Sequence, residues 1–215
     1  MGLKVYGLPL STNTVRVLAL LKEKDLDYEL VPVDLPTGAH KQPSFLALNP
    51  FGQIPVLEDG DIVLFDSRGI NRYIASKYKE TGPDLLWSAG GPAESAAVEV
   101  WLSLESQQFA PPIEELVFEA LIKPIIGQIT DPTAVEKHAE KLGKVLDVYE
   151  AHLAKNKYLA GREFTLADLN HMPYAYYLMK TSKADLVTCR PHVLAWWEDI
   201  SARPAWKKTA ASIPL

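Results

Sequence analysis

Residues Asn49–Ser67 read NPFGQIPVLEDGDIVLFDS, and the order of the surrounding elements follows outward from them. Asp59-Gly60 is a hairpin signal, because glycine accepts the left-handed backbone of a tight turn. Two short apolar runs flank it, Pro55–Glu58 and Ile62–Phe65, and predict antiparallel strands. Pro55 cannot donate a ladder hydrogen bond and reads as a strand start. Downstream, Ile70, Tyr73, Ile74 and Tyr78 mark one face of a helix. Asp66 and Ser67 stand at its start, where side-chain oxygens can cap free N–H groups.

Upstream, Leu3–Tyr6 predicts a short strand, broken by Gly7 and Pro9. Ser11 offers a helix N-cap. Val15, Leu18 and Leu21 then fall at helical spacing, with Arg16 and Lys22 expected to face water. Tyr28–Val33 predicts a second strand, which Pro32 confines to a sheet edge. Leu35–Pro43 reads as a loop. The order β-α-β followed by β-β-α predicts a parallel pair with a crossover plus an antiparallel hairpin. Residues 1–80 are thus expected to form a four-stranded mixed sheet with helices packed on it.

Residues 81–92 (TGPDLLWSAGGP) are rich in Gly and Pro and read as a linker. Residues 93–215 show no strand pattern and predict an all-helical domain, so the fold class is α/β plus all-α. Glu94–Leu121 is helical in pattern, with a break or kink expected at Pro111-Pro112. Leu142, Val145, Leu146, Tyr149 and Leu153 form a helical stripe. Thr165–Asp168 resembles a capping box with Asp in place of Glu, and Phe164 is placed to staple onto Leu169. The helix begun there meets Pro173, where a kink is expected. His192–Ala202 predicts a last helix that buries Trp196 or Trp197.

Bulk properties exclude several function classes. The chain has 215 residues, 47% apolar and 23% charged, with a net charge of −5. No Lys/Arg run suggests a nucleic-acid footprint. The single cysteine, Cys189, cannot form an internal disulfide and reads as a packed or surface thiol. The N-terminus lacks the pattern of a secretory signal. No apolar run nears the roughly 18 residues of a membrane span, so a cytoplasmic location is expected. His138, His152, His171 and His192 lack metal-ligand spacing, and no Gly-rich phosphate loop is present. No metal is expected.

The segment from Asn49 to Arg68 resembles the glutathione-transferase family closely. STNTVRV (residues 11–17) and the His40-Lys41 pair resemble its plant phi class in particular, and TLADL (residues 165–169) looks like the family's helical capping segment. The resemblance implies a thioredoxin-like N-terminal domain that binds glutathione as co-substrate, with no separate cofactor. It implies a helical domain that supplies most of the pocket for a hydrophobic electrophile, and a homodimer, for which Phe51 is a candidate apolar anchor.

The resemblance also implies roles for individual residues. It makes the Ile54-Pro55 bond cis, although cis X-Pro is only about 5–6% of such bonds in general. A cis bond would let the Ile54 backbone pair with the cysteinyl backbone like an added strand. Ser67 and the helix start suit the γ-glutamyl carboxylate, and Asp66 suits its ammonium; the alternative is that both only cap the helix. Asp66 stands where the family often has Glu. Gln53 is expected to bond the same end. His40 and Lys41 lie in a loop that could close on the glycyl carboxylate, the alternative being a solvated loop. Arg68 is read as a structural bridge between domains or subunits.

Ser11 is the expected catalytic residue. The thiolate is the nucleophile, and a free thiol titrates near 8.5. A hydroxyl donating to the thiolate, at the positive end of a helix, favours ionisation. Ser11 is not itself a nucleophile in this scheme, and no cysteine stands there for mixed-disulfide chemistry. The alternative is a plain N-cap. Thr12 and Thr14 are rival hydroxyls, and Thr12 is also placed near the ligand. Leu10, Leu35, Phe118 and Tyr177 are candidates for the electrophile pocket, each with ordinary core packing as the alternative. A non-catalytic carrier of hydrophobic molecules is the competing function, and a domain recruited into a larger complex is a third.

Overall fold

The computed structural model describes residues 2–215. These divide into two compact units. One comprises the chain up to Leu85 together with Arg203–Leu215, and the other is Leu86–Ala202.

In the first unit, β1 (Leu3–Gly7) alternates buried and half-buried residues, with Leu3 and Val5 in the core. Ser11 caps α1 (Thr12–Glu23), its Oγ accepting from the Thr14 N–H at 3.3 Å. The chain returns in β2 (Tyr28–Pro32), parallel to β1 with Leu3 opposite Tyr28. A 3-10 turn (Ala39–Lys41) and the short α2 (Pro43–Leu46) lead to β3 (Val56–Asp59) and β4 (Ile62–Phe65). β3 runs antiparallel to both β1 and β4, giving the order β2-β1-β3-β4. This is the expected mixed sheet, with β2 at the edge where Pro32 is tolerated. The hairpin turn sits one residue later than expected. Asp59 pairs with Ile62 inside the ladder, leaving Gly60 and Asp61 as the loop, with Gly60 at φ 63°.

α3 (Ser67–Lys77) buries Ile70 and Ile74. It is tied to the hairpin through Asp59, whose Oδ2 accepts from Tyr73 Oη at 3.0 Å, Lys77 Nζ at 2.6 Å and Tyr78 Oη at 3.1 Å.

The expectation that Arg16 faces water is wrong. α1 packs against α3 and, at the C-terminus, α11 (Pro204–Ala210), and every residue from Thr14 to Leu21 is buried. No solvent face remains on that stretch, and Arg16 is 0% exposed. Lys22 is half-buried, its ammonium donating to the Lys208 carbonyl at 3.1 Å and Ser212 Oγ at 3.4 Å.

The domain reading of residues 93–215 also needs correction at its end. Arg203–Leu215 clusters with the first unit. Trp206, Thr209 and Ile213 are buried, and the Arg203 guanidinium pairs with the Glu23 carboxylate. Helical periodicity marks α11 as a helix but does not say which core it joins.

In the second unit, α4 (Pro92–Leu104), a π-helical turn (Glu105–Phe109), α5 (Ala110–Val117), a second π-helical turn (Phe118–Ile122) and α6 (Lys123–Ile125) follow one another without a gap. Of the break or kink expected at Pro111-Pro112, the break does not occur. Proline lacks an N–H and crowds the carbonyl four residues back. The backbone widens instead, with Ala110 N–H donating to Glu105 O and Lys123 N–H to Phe118 O. α7 (Pro132–Leu153) buries Val135, Leu142, Leu146 and Tyr149. α8 (Leu166–Leu178) is buried along nearly its whole length and continues through Pro173. It begins in the expected capping box. Thr165 Oγ1 accepts from Ala167 N–H at 3.3 Å, and Asp168 Oδ2 accepts from Thr165 N–H at 3.0 Å. α9 (Asp185–Thr188) and α10 (Pro191–Ser201) complete the unit, and α10 buries both Trp196 and Trp197. Apart from an isolated bridge between Tyr158 and Gly161, the described residues of this unit contain no strand. No helix among the described residues is long and apolar enough to cross a membrane.

Candidate active site

The first unit carries a cavity of about 580 Å³ walled by three stretches, the loop and turn before α2, the segment Asn49–Pro55, and the start of α3 with Phe65, with Asn13 of α1 beside them. Of the residues expected at the site, Leu35, His40, Lys41, Gln53, Ile54, Asp66 and Ser67 all line it. Asn13, Asn49, Phe51, Gly52, Pro55, Phe65 and Arg68 also line it. The Ile54-Pro55 peptide is cis, as the resemblance implies.

Each wall is braced from behind. Asn49 is 2% exposed and holds its loop by donating to Gln53 O at 2.7 Å and accepting from Phe51 N–H at 3.0 Å. Lys41 Nζ donates to Phe51 O at 3.1 Å and Gly52 O at 2.9 Å. Two of its three protons are thereby used, leaving one for a ligand. Gly52 has φ 58°, and a Cβ there would lie 2.7 Å from the His40 carbonyl oxygen, so the loop closes on the turn only with glycine. His40 Nδ1 is buried without a hydrogen-bond partner. A buried polar atom left in this way is costly, and here it belongs to a residue that lines the cavity.

At the third wall, Asp66 adopts φ 69° and ψ 117°, a backbone region that non-glycine residues seldom occupy. Its Oδ1 accepts from the Arg68 and Gly69 N–H groups, both at 2.9 Å. Asp66 is therefore the helix cap as well as a cavity residue. Ser67 is 3% exposed, and its Oγ accepts from Arg16 Nη1 at 2.7 Å. The cap takes the Arg68 and Gly69 N–H groups, so what the start of α3 still offers an anion is its dipole and the Ser67 hydroxyl.

The remaining candidates lie elsewhere. Ser11, Thr12 and Leu10 are half-buried and are not part of the cavity wall. Thr14 is fully buried, with its Oγ1 accepting from Leu8 N–H at 3.4 Å, which removes it as a rival hydroxyl. In the second unit Phe118 is exposed beneath the Lys123 ammonium. Tyr177 is 0% exposed and offers no surface to a ligand, and burial pushes its phenol up. Tyr177 is thus core, because α8 is enclosed on nearly all sides. Cys189 is an exposed free thiol with Arg190 Nη1 3.4 Å from its sulfur. Among the described residues no cluster of His, Cys, Asp and Glu could hold a metal ion. Asn13 was missed in the sequence because its only signal there is a helix-start position. Its place in the cavity depends on contacts 54 residues away, at Ser67.

Family models for the N-terminal and C-terminal domains of glutathione S-transferase match residues 1–76 and 109–204. Glutathione S-transferase 3 of Zea mays is 62% identical over 99% of this chain and 95% of its own length. The crystal structure of glutathione transferase F7 from Populus trichocarpa matches with a TM-score of 0.95 at 56% identity, covering 99% of this chain and all of that one. Glutathione S-transferase I from maize, solved in complex with an atrazine glutathione conjugate, matches with a TM-score of 0.91 at 43% identity, over 99% of this chain and 98% of that one. With both halves of the sequence matched and such relatives along nearly its whole length, the chain belongs to the glutathione S-transferase family, in its plant phi class.

Proposed function

We propose that this glutathione transferase holds the tripeptide along the three cavity walls and ionises its thiol beside Ser11. The observation that carries the reading is the cavity itself. A single recess gathers an unpartnered His40 nitrogen, a Lys41 ammonium with a proton to spare, the cis-proline loop and the start of α3. The two ends suit opposite ends of glutathione. His40 and Lys41 take the glycyl carboxylate. Ser67 and the α3 start take the γ-glutamyl carboxylate, with Asp66 and Gln53 at its ammonium end. The Ile54 backbone pairs with the cysteinyl residue.

Ser11 Oγ already accepts from the Thr14 N–H. A hydroxyl has one proton and two lone pairs, so capping leaves its proton free to donate to a thiolate. Lowering the thiol pKa by ~2 units requires ~2.7 kcal/mol of differential stabilisation. The hydroxyl and the start of α1 supply it together. The sulfur then attacks the electrophilic carbon, a C–S bond forms and the leaving group departs as an anion. The thiol proton has already passed to solvent. Leu10 and Leu35, both half-buried in this unit, are the side chains we assign to a hydrophobic electrophile. The same thiolate would reduce organic hydroperoxides, the alcohol leaving and a second glutathione completing the disulfide and water.

The test is conjugation of chlorodinitrobenzene by wild type and Ser11→Ala. The variant is expected to lose about tenfold in kcat, ~1.4 kcal/mol, the start of α1 keeping its own share, with little change in glutathione binding. Equal rates would remove Ser11 from the mechanism. A wild type that binds hydrophobic ligands but turns over no electrophile would favour the carrier reading.

A further inference from the structure

We infer that buried Arg16 is a positioning residue: it fixes Asn13 and Ser67 as hydrogen-bond donors facing the γ-glutamyl carboxylate. The inference rests on the reading of the cavity as the glutathione site. Arg16 is 0% exposed in the middle of α1. Its Nη1 donates to Asn13 Oδ1 at 2.5 Å and to Ser67 Oγ at 2.7 Å. Its backbone carbonyl accepts from Asn71 Nδ2 at 3.1 Å, which ties α1 to α3 behind the cavity. Asn13 and Ser67 both line the cavity.

A guanidinium has donors and no acceptor. The Asn13 atom against it must therefore be the carbonyl oxygen, since a flipped amide would set N–H against N–H. The two amide protons of Asn13 are what remains for the cavity. The same logic applies to Ser67. With one lone pair taken by Arg16, its own proton must point elsewhere. The acceptor available to it is Asn13 Oδ1 at 3.5 Å, a long contact for a hydroxyl. A carboxylate at ordinary hydrogen-bond distance outcompetes it. One buried side chain thus sets the polarity of two others, which recognise an anion next to the α3 start.

The discriminating variant is Asn13→Asp. Its carboxylate still accepts from Arg16, so the buried contact is kept, but an oxygen replaces the amide donor. Conjugation kinetics are measured with glutathione and with 4-aminobutyryl-cysteinylglycine, which lacks the γ-glutamyl α-carboxylate. Asn13→Asp is expected to raise KM for glutathione about tenfold or more, with no rise in KM for the analogue, which has no carboxylate there for the new charge to repel. Arg16→Gln, which offers an acceptor as well as donors, should raise KM for glutathione selectively, and Arg16→Lys should restore part of the loss. If the Arg16 variants do not fold, the absence of a rise with Asn13→Asp still overturns the inference. An equal rise in both KM values, or no rise in either, would overturn the inference. A wild type that uses glutathione and the analogue equally well would overturn it too, while leaving the transferase reading intact. A wild type that does not bind glutathione would overturn both.

Discussion

Ser11 illustrates how one side chain serves structure and chemistry together. Its oxygen caps α1 and its proton is left over, so the plain-cap and catalytic readings are compatible. Asp59 is a structural counterpart. Burial pushes its carboxyl up, but hydrogen bonds from Lys77, Tyr73 and Tyr78 more than offset this, and it lies below the usual range. A carboxylate whose folded pKa is depressed stabilises the fold above its unfolded value of about 3.9, and that stability fades as pH falls through the lower folded value. Asp59→Asn is therefore expected to be less stable than wild type at neutral pH, with the two denaturation midpoints converging as pH falls below the unfolded value of about 3.9. Midpoints separated by a constant amount across that range would contradict this. At this scale the sequence was least legible. Arg16 was misread because periodicity assumes one wet helix face, and Asn13 because its role arises only when α1 meets α3.

At the scale of elements, short-range chemistry was far more legible. Asp-Gly announced the hairpin to within a residue, and Thr165–Asp168 announced the start of α8. That capping box does more than its sequence tells. Asp168 Oδ1 also accepts from Leu159 N–H and Trp196 Nε1, both at 2.9 Å, joining three segments of the second unit. Burial pushes the Asp168 carboxyl up, and these donors hold it back. Asp168→Ala leaves several buried donors unmatched and is expected to cost about 3 kcal/mol, read from the urea midpoint. A loss under about 1 kcal/mol would show that the donors find other partners. Pro111-Pro112 shows the opposite limit. Sequence rules identify a strained site, but whether the chain breaks or widens into a π-turn depends on how well its flanks are packed.

For the whole molecule, composition and two patterns of periodicity were enough for the mixed sheet and the helical unit. They could not place α11, whose partner is α1 at the other end of the chain. Nor do they settle assembly. Phe51 is 68% exposed, packs edge-on to the partly exposed Phe65, and shares its unit with exposed Ile62 and Val63. We take these side chains as the anchor for a second copy of the chain. Sedimentation equilibrium should give a dimer for wild type at micromolar concentration and a shift toward monomer for Phe51→Ser. A monomeric wild type would refute the assembly.

Ionisation of glutathione beside Ser11 is the step on which the proposed function rests. The direct measurement is a spectroscopic pH titration of the thiol of bound glutathione. Wild type should ionise it ~2 units below the free value of about 8.5, and Ser11→Ala should return it toward that value. A bound thiol that titrates like free glutathione, or one lowered as far in Ser11→Ala as in wild type, would overturn this reading.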